Sequence, residues 1–321
     1  CQNKVFLLSS AKIKHMKLHF DKDLKKLTLS AFGNELAQIM GHDTDENGNR
    51  VYMRDEQEEI EVVTIDSPVL VTDNYKIAQL DPIKRDTVFA LYSAPTKITD
   101  YDGTVIRFEQ KRFPGVWGPS IDTLLFCRAL SKVDLSGVKK VLEIGPGSGF
   151  ISKYILDHVP GVEKLYAIDL NEKAAECTRE NIPDSRVESA VGDALEFIKD
   201  NTFDLIVCNP PYIPRPKSID DNPYEGVSLL AYLLERGKEH LNPDGVIVTN
   251  ISSLSDCVID PLLQEKNISV SEIDSMIVPL KVYNVLNNTT WMEYLLENKG
   301  LIQDSHDGYD FWHKLKIVLL K

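Results

Sequence analysis

Residues 203–214 read Phe-Asp-Leu-Ile-Val-Cys-Asn-Pro-Pro-Tyr-Ile-Pro, and this stretch constrains the fold more tightly than any other in the 321-residue chain. Positions 203–208 form a short, almost wholly apolar run, the pattern of a strand buried on both faces of a parallel sheet. Asn209-Pro210-Pro211-Tyr212 ends it abruptly. Two prolines fix φ and donate no N–H, so the chain leaves the sheet as a stiff, non-helical segment. Loops just beyond the carboxyl ends of parallel strands are where ligands bind in open α/β sheets. This one offers a side-chain amide, an unpaired proline carbonyl and an aromatic ring side by side. Asn, Pro and Tyr are also ordinary turn residues, so the reading rests on what surrounds them.

The surroundings alternate strand and helix from Gly115 onward. Ser120 caps a helix reaching Ala129. Strands are expected at 139–144, 164–168, 186–190, 203–208 and 246–250, with helices at 149–158, 172–180 and 229–240. This rhythm implies an α/β fold built on a doubly wound, mostly parallel sheet. Strands at 268–277 and 315–320, with a helix at 288–297, close the chain as an antiparallel hairpin. Residues 1–112 differ and read as a β-rich α+β domain, distinct from a second domain over 113–321. In the first, alternating runs at 12–20 and 24–31 flank Asp21-Lys22-Asp23 as a hairpin, and short strands follow at 60–65, 69–72, 88–92 and 105–108.

Charge and composition narrow the function classes. A net charge of -13 argues against broad, non-specific nucleic-acid binding, which depends on neutralising phosphates. No run approaches the roughly 20 apolar residues of a membrane helix, and the apolar run at 5–8 is too short for a signal-peptide core. The five cysteines are widely spaced and never C-x-x-C, which fits neither a disulfide framework nor a zinc site and points to reduced thiols in the cytoplasm. His15 and His19 alternate with Met16, Leu18 and Phe20 as on a strand and read as solvated. Asp43-Thr-Asp45-Glu-Asn47-Gly48 matches the opening of a calcium loop, but the twelfth position is Arg54 where a bidentate Glu is needed. No metal is expected.

The first strand of the second domain runs into Glu143-Ile-Gly145-Pro-Gly147-Ser-Gly149. Glycines there let the backbone turn tightly and a ligand approach the main chain. The spacing is G-x-G-x-G with no Gly-Lys-Ser/Thr, so it is not a phosphate-binding P-loop. Asp169 ends the second strand, placed for a ribose diol, and Asp193 ends the third, where it could meet an adenine amino group. An adenosine ligand without a dedicated pyrophosphate grip points away from NAD.

Leu142-Glu143-Ile-Gly-Pro-Gly-Ser-Gly149, Ala167-Ile-Asp169, Gly192-Asp193-Ala194 and Asn209-Pro-Pro-Tyr212 resemble, in order and at the right strand ends, the motifs of class I S-adenosylmethionine-dependent methyltransferases. The resemblance covers about residues 120–320 and implies a seven-stranded Rossmann-like sheet with S-adenosylmethionine as methyl donor. By it, Glu143, Gly145, Gly147 and Gly149 face the methionine part of the cofactor. Asp169 with Leu170 holds the ribose, Asp193 with Ala194 lies near the adenine, and Asn209 meets the reacting end. The Asn-Pro-Pro-Tyr form resembles the subset that methylates nitrogen conjugated to a planar group.

Such a nitrogen is a poor nucleophile because its lone pair is delocalised. The Asn209 side-chain oxygen and the Pro210 carbonyl can hold both of its N–H groups, Pro211 stiffens the turn, and Tyr212 can stack on the planar group. Catalysis is then mainly orientation and electrostatic alignment. The extended Asn209-Pro-Pro-Tyr-Ile-Pro214 most resembles the HemK/PrmC group, which methylates the glutamine amide of the Gly-Gly-Gln loop in release factors. Gly115-Val-Trp-Gly-Pro-Ser-Ile-Asp-Thr123 resembles the segment that group sets against the methionine end, making Thr123 either a cofactor contact or a helix cap. The first 110 residues depart from the group's small helical bundle and are assigned to substrate docking. Two alternatives stay open. One is methylation of adenine N6 or guanine N2 in RNA or DNA, near Lys111-Arg112 and Arg215-Pro-Lys217; the other is a cofactor-binding subunit that needs an activating partner. The acidic balance favours a protein substrate over nucleic acid.

Overall fold

The computed structural model describes residues 16–20, 54–55, 60–62, 97–109, 112–217, 225–280, 282–286, 288–306 and 309–321. The chain divides into two units. One comprises Cys1–Arg112, Leu280–Leu286 and Gln303–Phe311; the other comprises Phe113–Pro279, Asn287–Ile302 and Trp312–Lys321.

The first unit holds a five-stranded sheet: β1 (Met16–Phe20), β2 (Arg54–Asp55), β3 (Ile60–Val62), β4 (Lys97–Tyr101) and β5 (Thr104–Phe108), in the order β2-β3-β1-β4-β5. β4 and β5 form a hairpin whose two turn residues, Asp102 and Gly103, both have positive φ, the arrangement that matches the twist of the flanking strands. β1 corrects the expected first hairpin. Its neighbours β3 and β4 both run parallel to it, so both edges are taken over Met16–Leu18. Apolar alternation identified the strand but carries no information on its partner. Positions 24–31, 69–72 and 88–92, and the calcium-like loop up to residue 53, lie outside the described residues.

The second unit is the α/β domain. Its elements in chain order are α1 (Ile121–Leu130), β6 (Lys140–Ile144), α2 (Phe150–His158), β7 (Lys164–Asp169), α3 (Glu172–Asn181), β8 (Val187–Val191), α4 (Ala194–Phe197) and β9 (Phe203–Cys208). α5 (Ser228–Arg236), β10 (Leu241–Ser252), α6 (Asp256–Glu265), β11 (Ser271–Pro279), α7 (Tyr283–Leu286), α8 (Thr289–Glu297), β12 (Ile302–His306) and β13 (Tyr309–Leu320) follow in the chain, α7, most of β12 and the start of β13 being counted with the first unit. The sheet order is β11-β13-β10-β9-β6-β7-β8. β6 to β10 are mutually parallel, while β13 is antiparallel to both β10 and β11. β12 pairs with β13 as an eighth strand beyond the seven expected.

β9 is apolar because it lies at the centre, with β6 on one side and β10 on the other. Its Phe203, Ile206 and Cys208 join a core with Leu142 of β6, Ile247 of β10, Val318 of β13 and Leu230 and Leu233 of α5. The one charged residue of the strand, Asp204, sits near its start and accepts three hydrogen bonds. Its Oδ2 accepts from the Lys139 and Lys140 backbone N–H groups at 2.9 and 2.8 Å, and its Oδ1 accepts from Asn242 Nδ2 at 2.7 Å.

The chain winds from β6 outward to β8, then crosses back to β9 on the other side of β6. The carboxyl ends of β6 and β9 therefore flank the point where the winding reverses, the crevice in which doubly wound sheets bind ligands. α6 was not expected; Pro261 inside it argues against helix, and the packing of Ile259 into the core overrides that preference. α1 is fixed at its far end, where Arg128 Nε and Nη2 donate to the two oxygens of Asp274 on β11 at 2.7 and 3.0 Å.

Candidate active site

The loop after β6 is a backbone cradle closed from three sides. Gly145, Gly147 and Gly149 all have positive φ, a conformation costly for other residues. A Cβ on Gly147 would sit 2.9 Å from the Trp117 carbonyl, which accepts from the Ser148 N–H at 3.1 Å. The Gly147 carbonyl in turn accepts from Thr178 Oγ1 at 3.2 Å, and the Gly147 N–H donates to Asp169 Oδ2 at 3.2 Å. Asp169 Oδ1 accepts from the Asn171 N–H at 2.9 Å. The carboxylate at the end of β7 thus anchors the glycine loop of β6, and two of its roughly four lone-pair positions remain for another donor.

The neighbouring strand end completes the rim. The Asp169 carbonyl accepts from the Gly192 N–H at 2.9 Å. Asp193 corrects the expectation that it ends a strand: β8 stops at Val191, and Asp193 caps α4 by accepting from the Leu195 N–H at 2.8 Å. Ala194 is buried, whereas Leu170 and Val191 are exposed large apolar side chains. Gly145 and Gly192 have nothing within 4 Å of where a Cβ would lie. Open backbone, a carboxylate with spare acceptor capacity and two apolar side chains at adjacent strand ends fit a ligand that joins a planar base, a diol and an amino-acid tail.

Opposite the glycine loop, β9 delivers Asn209; Ile144 and Cys208 are paired across the two strands immediately before the loops. The Asn209 amide is held at both ends. Its Nδ2 donates to Asp122 Oδ2 at 3.0 Å, and its Oδ1 accepts from Asn250 Nδ2. Asp122, in the first turn of α1, also accepts from Ser120 Oγ. Among the described residues nothing donates to the Pro210 carbonyl. Thr123 is 9% exposed and its Oγ1 accepts from the Ser120 N–H at 3.2 Å, so its hydroxyl serves the cap of α1.

The rest of the loop is packed down. Trp291 of α8 donates its indole N–H to the Pro214 carbonyl at 2.8 Å, and the Arg215 guanidinium, paired with Glu225, lies 5.0 Å from that ring. Tyr212 stands 5.6 Å from the buried His313 ring, whose Nδ1 pairs with Ser252 Oγ at 2.9 Å. Burial, and then the Asp122 charge, push the Tyr212 phenol upward, so it stays protonated. Asp122, Asn250 and His313 were not singled out in the sequence. Asp122 precedes the flagged Thr123, and Asn250 ends an apolar run as Asn209 does; His313 carried no such signal.

Glu143, the last polar residue of β6, is 2% exposed and accepts from Ser152 Oγ. Burial raises its carboxyl from 4.5 to about 7, and the Asp169 charge adds to the rise. The unfolded chain ionises first as pH climbs, so folding loses stability between these two values, by about 3 kcal/mol at the plateau. Glu143→Gln keeps the Ser152 acceptor and removes the proton. In urea unfolding it should match the parent near the lower value and exceed it increasingly up to pH 7 and beyond. A gap that does not change with pH would contradict this.

Comparison with known proteins follows the same residues. A family model described as Methyltransferase small domain matches residues 119–273. Methyltransferase HEMK2 of Mus musculus is 36% identical over 39% of this chain and 60% of its own length. A putative protein N5-glutamine methyltransferase of Methanocaldococcus jannaschii is 31% identical over 45% of this chain and 76% of its own length. The chain belongs to the HemK/PrmC group of class I methyltransferases. Another relative, the release factor glutamine methyltransferase of Aquifex aeolicus, is 31% identical over 49% of this chain and 62% of its own length. The chain thus spans less than two thirds of the Aquifex and mouse proteins. The matched family region takes in α1, the glycine loop, Asp169, Asp193, Asn209 and Asn250; His313 lies outside it. No helix among the described residues is long and apolar enough to cross a membrane.

Proposed function

We propose that this chain transfers a methyl group from S-adenosylmethionine to the side-chain amide nitrogen of a glutamine in a protein, with a release factor or ribosomal protein as the substrate class. The observation that carries the reading is the Asn209 amide, fixed at the end of β9 across the sheet's switch point from the open glycine loop. Bound S-adenosylmethionine supplies a methyl group on a sulfonium and a neutral thioether leaving group. Gly145, Gly147, Gly149, Asp169, Leu170 and Val191 would hold it, with Glu143 behind the loop and Asp193 and Ala194 at the adenine end.

The chain's residues act on the nucleophile. Asn209 Oδ1 and the Pro210 carbonyl accept the two amide N–H groups, which turns the nitrogen lone pair out of conjugation and toward the methyl. Tyr212, neutral and packed against His313, offers an aromatic wall to the planar amide. No base is needed before attack, because the nitrogen sheds its proton afterwards. Residues 1–112 take the role of docking the substrate, and the setting is the cytoplasm, where such substrates occur.

The test is transfer of label from methyl-labelled S-adenosylmethionine into an extract of the source organism, followed by parallel protease and nuclease digestion. Label released only by protease and recovered as N5-methylglutamine is expected. Release by nuclease would move the enzyme to adenine N6 or guanine N2. Cofactor binding with no transfer into any fraction would make the chain a subunit that needs an activating partner.

A further inference from the structure

Asn209 is not held by the backbone alone; a polar chain runs through it, and the chain has a direction. At one end Asp122, as a carboxylate, can only accept. Its Oδ2, 3.0 Å from the Asn209 amide, therefore meets Nδ2 and not Oδ1. That choice leaves Asn209 Oδ1 facing Asn250, which must then present Nδ2. The reverse orientation of either amide would set two oxygens against each other. The same ordering leaves Asn250 Oδ1 buried and, among the described residues, without a hydrogen-bond partner. A buried unpaired acceptor costs on the order of 1–3 kcal/mol, less than the clash of oxygens that either reversal would bring, so the order is fixed from the Asp122 end.

The three residues come from separate elements. Asp122 lies in the first turn of α1, where the helix N-terminus favours its negative charge. Asn209 follows β9, and Asn250 lies on β10, the strand paired with β9. Ser120 Oγ donates to the other oxygen of Asp122, and the Arg128 pair with Asp274 secures the same helix from its far end.

We propose that Asp122 and Asn250 are positioning residues that set the orientation of the Asn209 amide, so that Oδ1, with one lone pair still open, faces the substrate nitrogen. This rests on the glutamine-amide reading for its consequence in turnover but not for its geometry. Replacing Asp122 by Asn removes the charge and lets the group at that position donate as well as accept. Asn209 can then rotate and present Nδ2, which repels a substrate N–H.

The geometry is tested on the full chain without substrate, by the ¹H–¹⁵N side-chain amide signals of asparagine, with Asn209 assigned from the signal lost in Asn209→Ala. One Asn209 Nδ2 proton is expected downfield of exposed amides and exchanging roughly 10-fold more slowly, and Asp122→Asn should abolish both features. An Asn209 signal unchanged in Asp122→Asn overturns the proposal. The consequence is tested by methyl transfer to a protein bearing a Gly-Gly-Gln loop. Asp122→Asn should lower kcat roughly 10- to 100-fold, with the cofactor KM within about twofold and the melting temperature lowered by no more than a few degrees for the lost helix-terminus charge, a split that a merely structural role would not produce. A kcat equal to that of the parent also overturns it. If the parent itself transfers no methyl to this protein, the glutamine reading fails, while the amide signals still decide the positioning.

Discussion

Asn209→Ala is expected to lower turnover by roughly 10²- to 10³-fold while leaving cofactor affinity within about twofold. The side chain is aimed by Asp122 on one side and Asn250 on the other, and on the proposed reading its oxygen is one of the two acceptors that hold a planar amide out of conjugation. The second, the Pro210 carbonyl, is a backbone atom that the substitution leaves in place, so binding of substrate should weaken less than the reaction. A loss confined to kcat is the signature of an interaction made in the transition state. Truncation also leaves Asp122 with Ser120 as its remaining partner here and Asn250 with none at that end, at a cost of about 1–3 kcal/mol. Rates must therefore be compared at a temperature where both proteins are folded by circular dichroism. An Asn209→Ala enzyme with full activity would show that the amide clamp is not how this site works.

How far the residues announced this arrangement depends on the kind of signal they carry. Period and composition sufficed for β6, β7 and β9, because strands inside a parallel sheet are mostly apolar and end in turn chemistry. They sufficed also for the glycine loop, since three positive-φ positions in five residues leave little choice but glycine. Pairing was not legible. β1 shows the alternation of any half-buried strand, and only the folded chain reveals parallel neighbours on both sides. α6 was not legible because Pro261 argues locally against helix, while Ile259, Leu262 and Leu263 secure it only through packing on the core of the folded chain. At the site, residues attached to a strand end could be read from order alone. Asp122, 87 positions before Asn209, and Asn250, 41 after it, meet that amide only through the sheet order and the placement of α1.

Asp169→Ala should have the converse effect, a loss of cofactor affinity of roughly 100-fold with kcat at saturating cofactor reduced only a few-fold. Two contributions combine. The carboxylate positions left open after Gly147 and Asn171 are served would accept from a ribose diol, and charge-assisted hydrogen bonds are each worth about 1.5–3 kcal/mol. The same carboxylate holds the Gly147 N–H, so its loss loosens the loop that must lie against the ligand. Neither contribution touches Asn209, which hangs from β9 and is oriented from α1 and β10. Calorimetric titration with S-adenosylhomocysteine reads the affinity directly, and an unchanged affinity would mean the diol is not at β7. The pH dependence supplies a second check. Burial raises the Asp169 carboxyl above its ordinary 3.8, against the opposing effect of the Asn171 and Gly147 N–H groups. Protonation removes the charge and one acceptor position facing the diol, so affinity should fall as pH drops through that raised value, at a higher pH than for an exposed aspartate. In Asp169→Ala that fall should vanish, which assigns the titration to this carboxylate; a fall that persists in the variant would place it elsewhere.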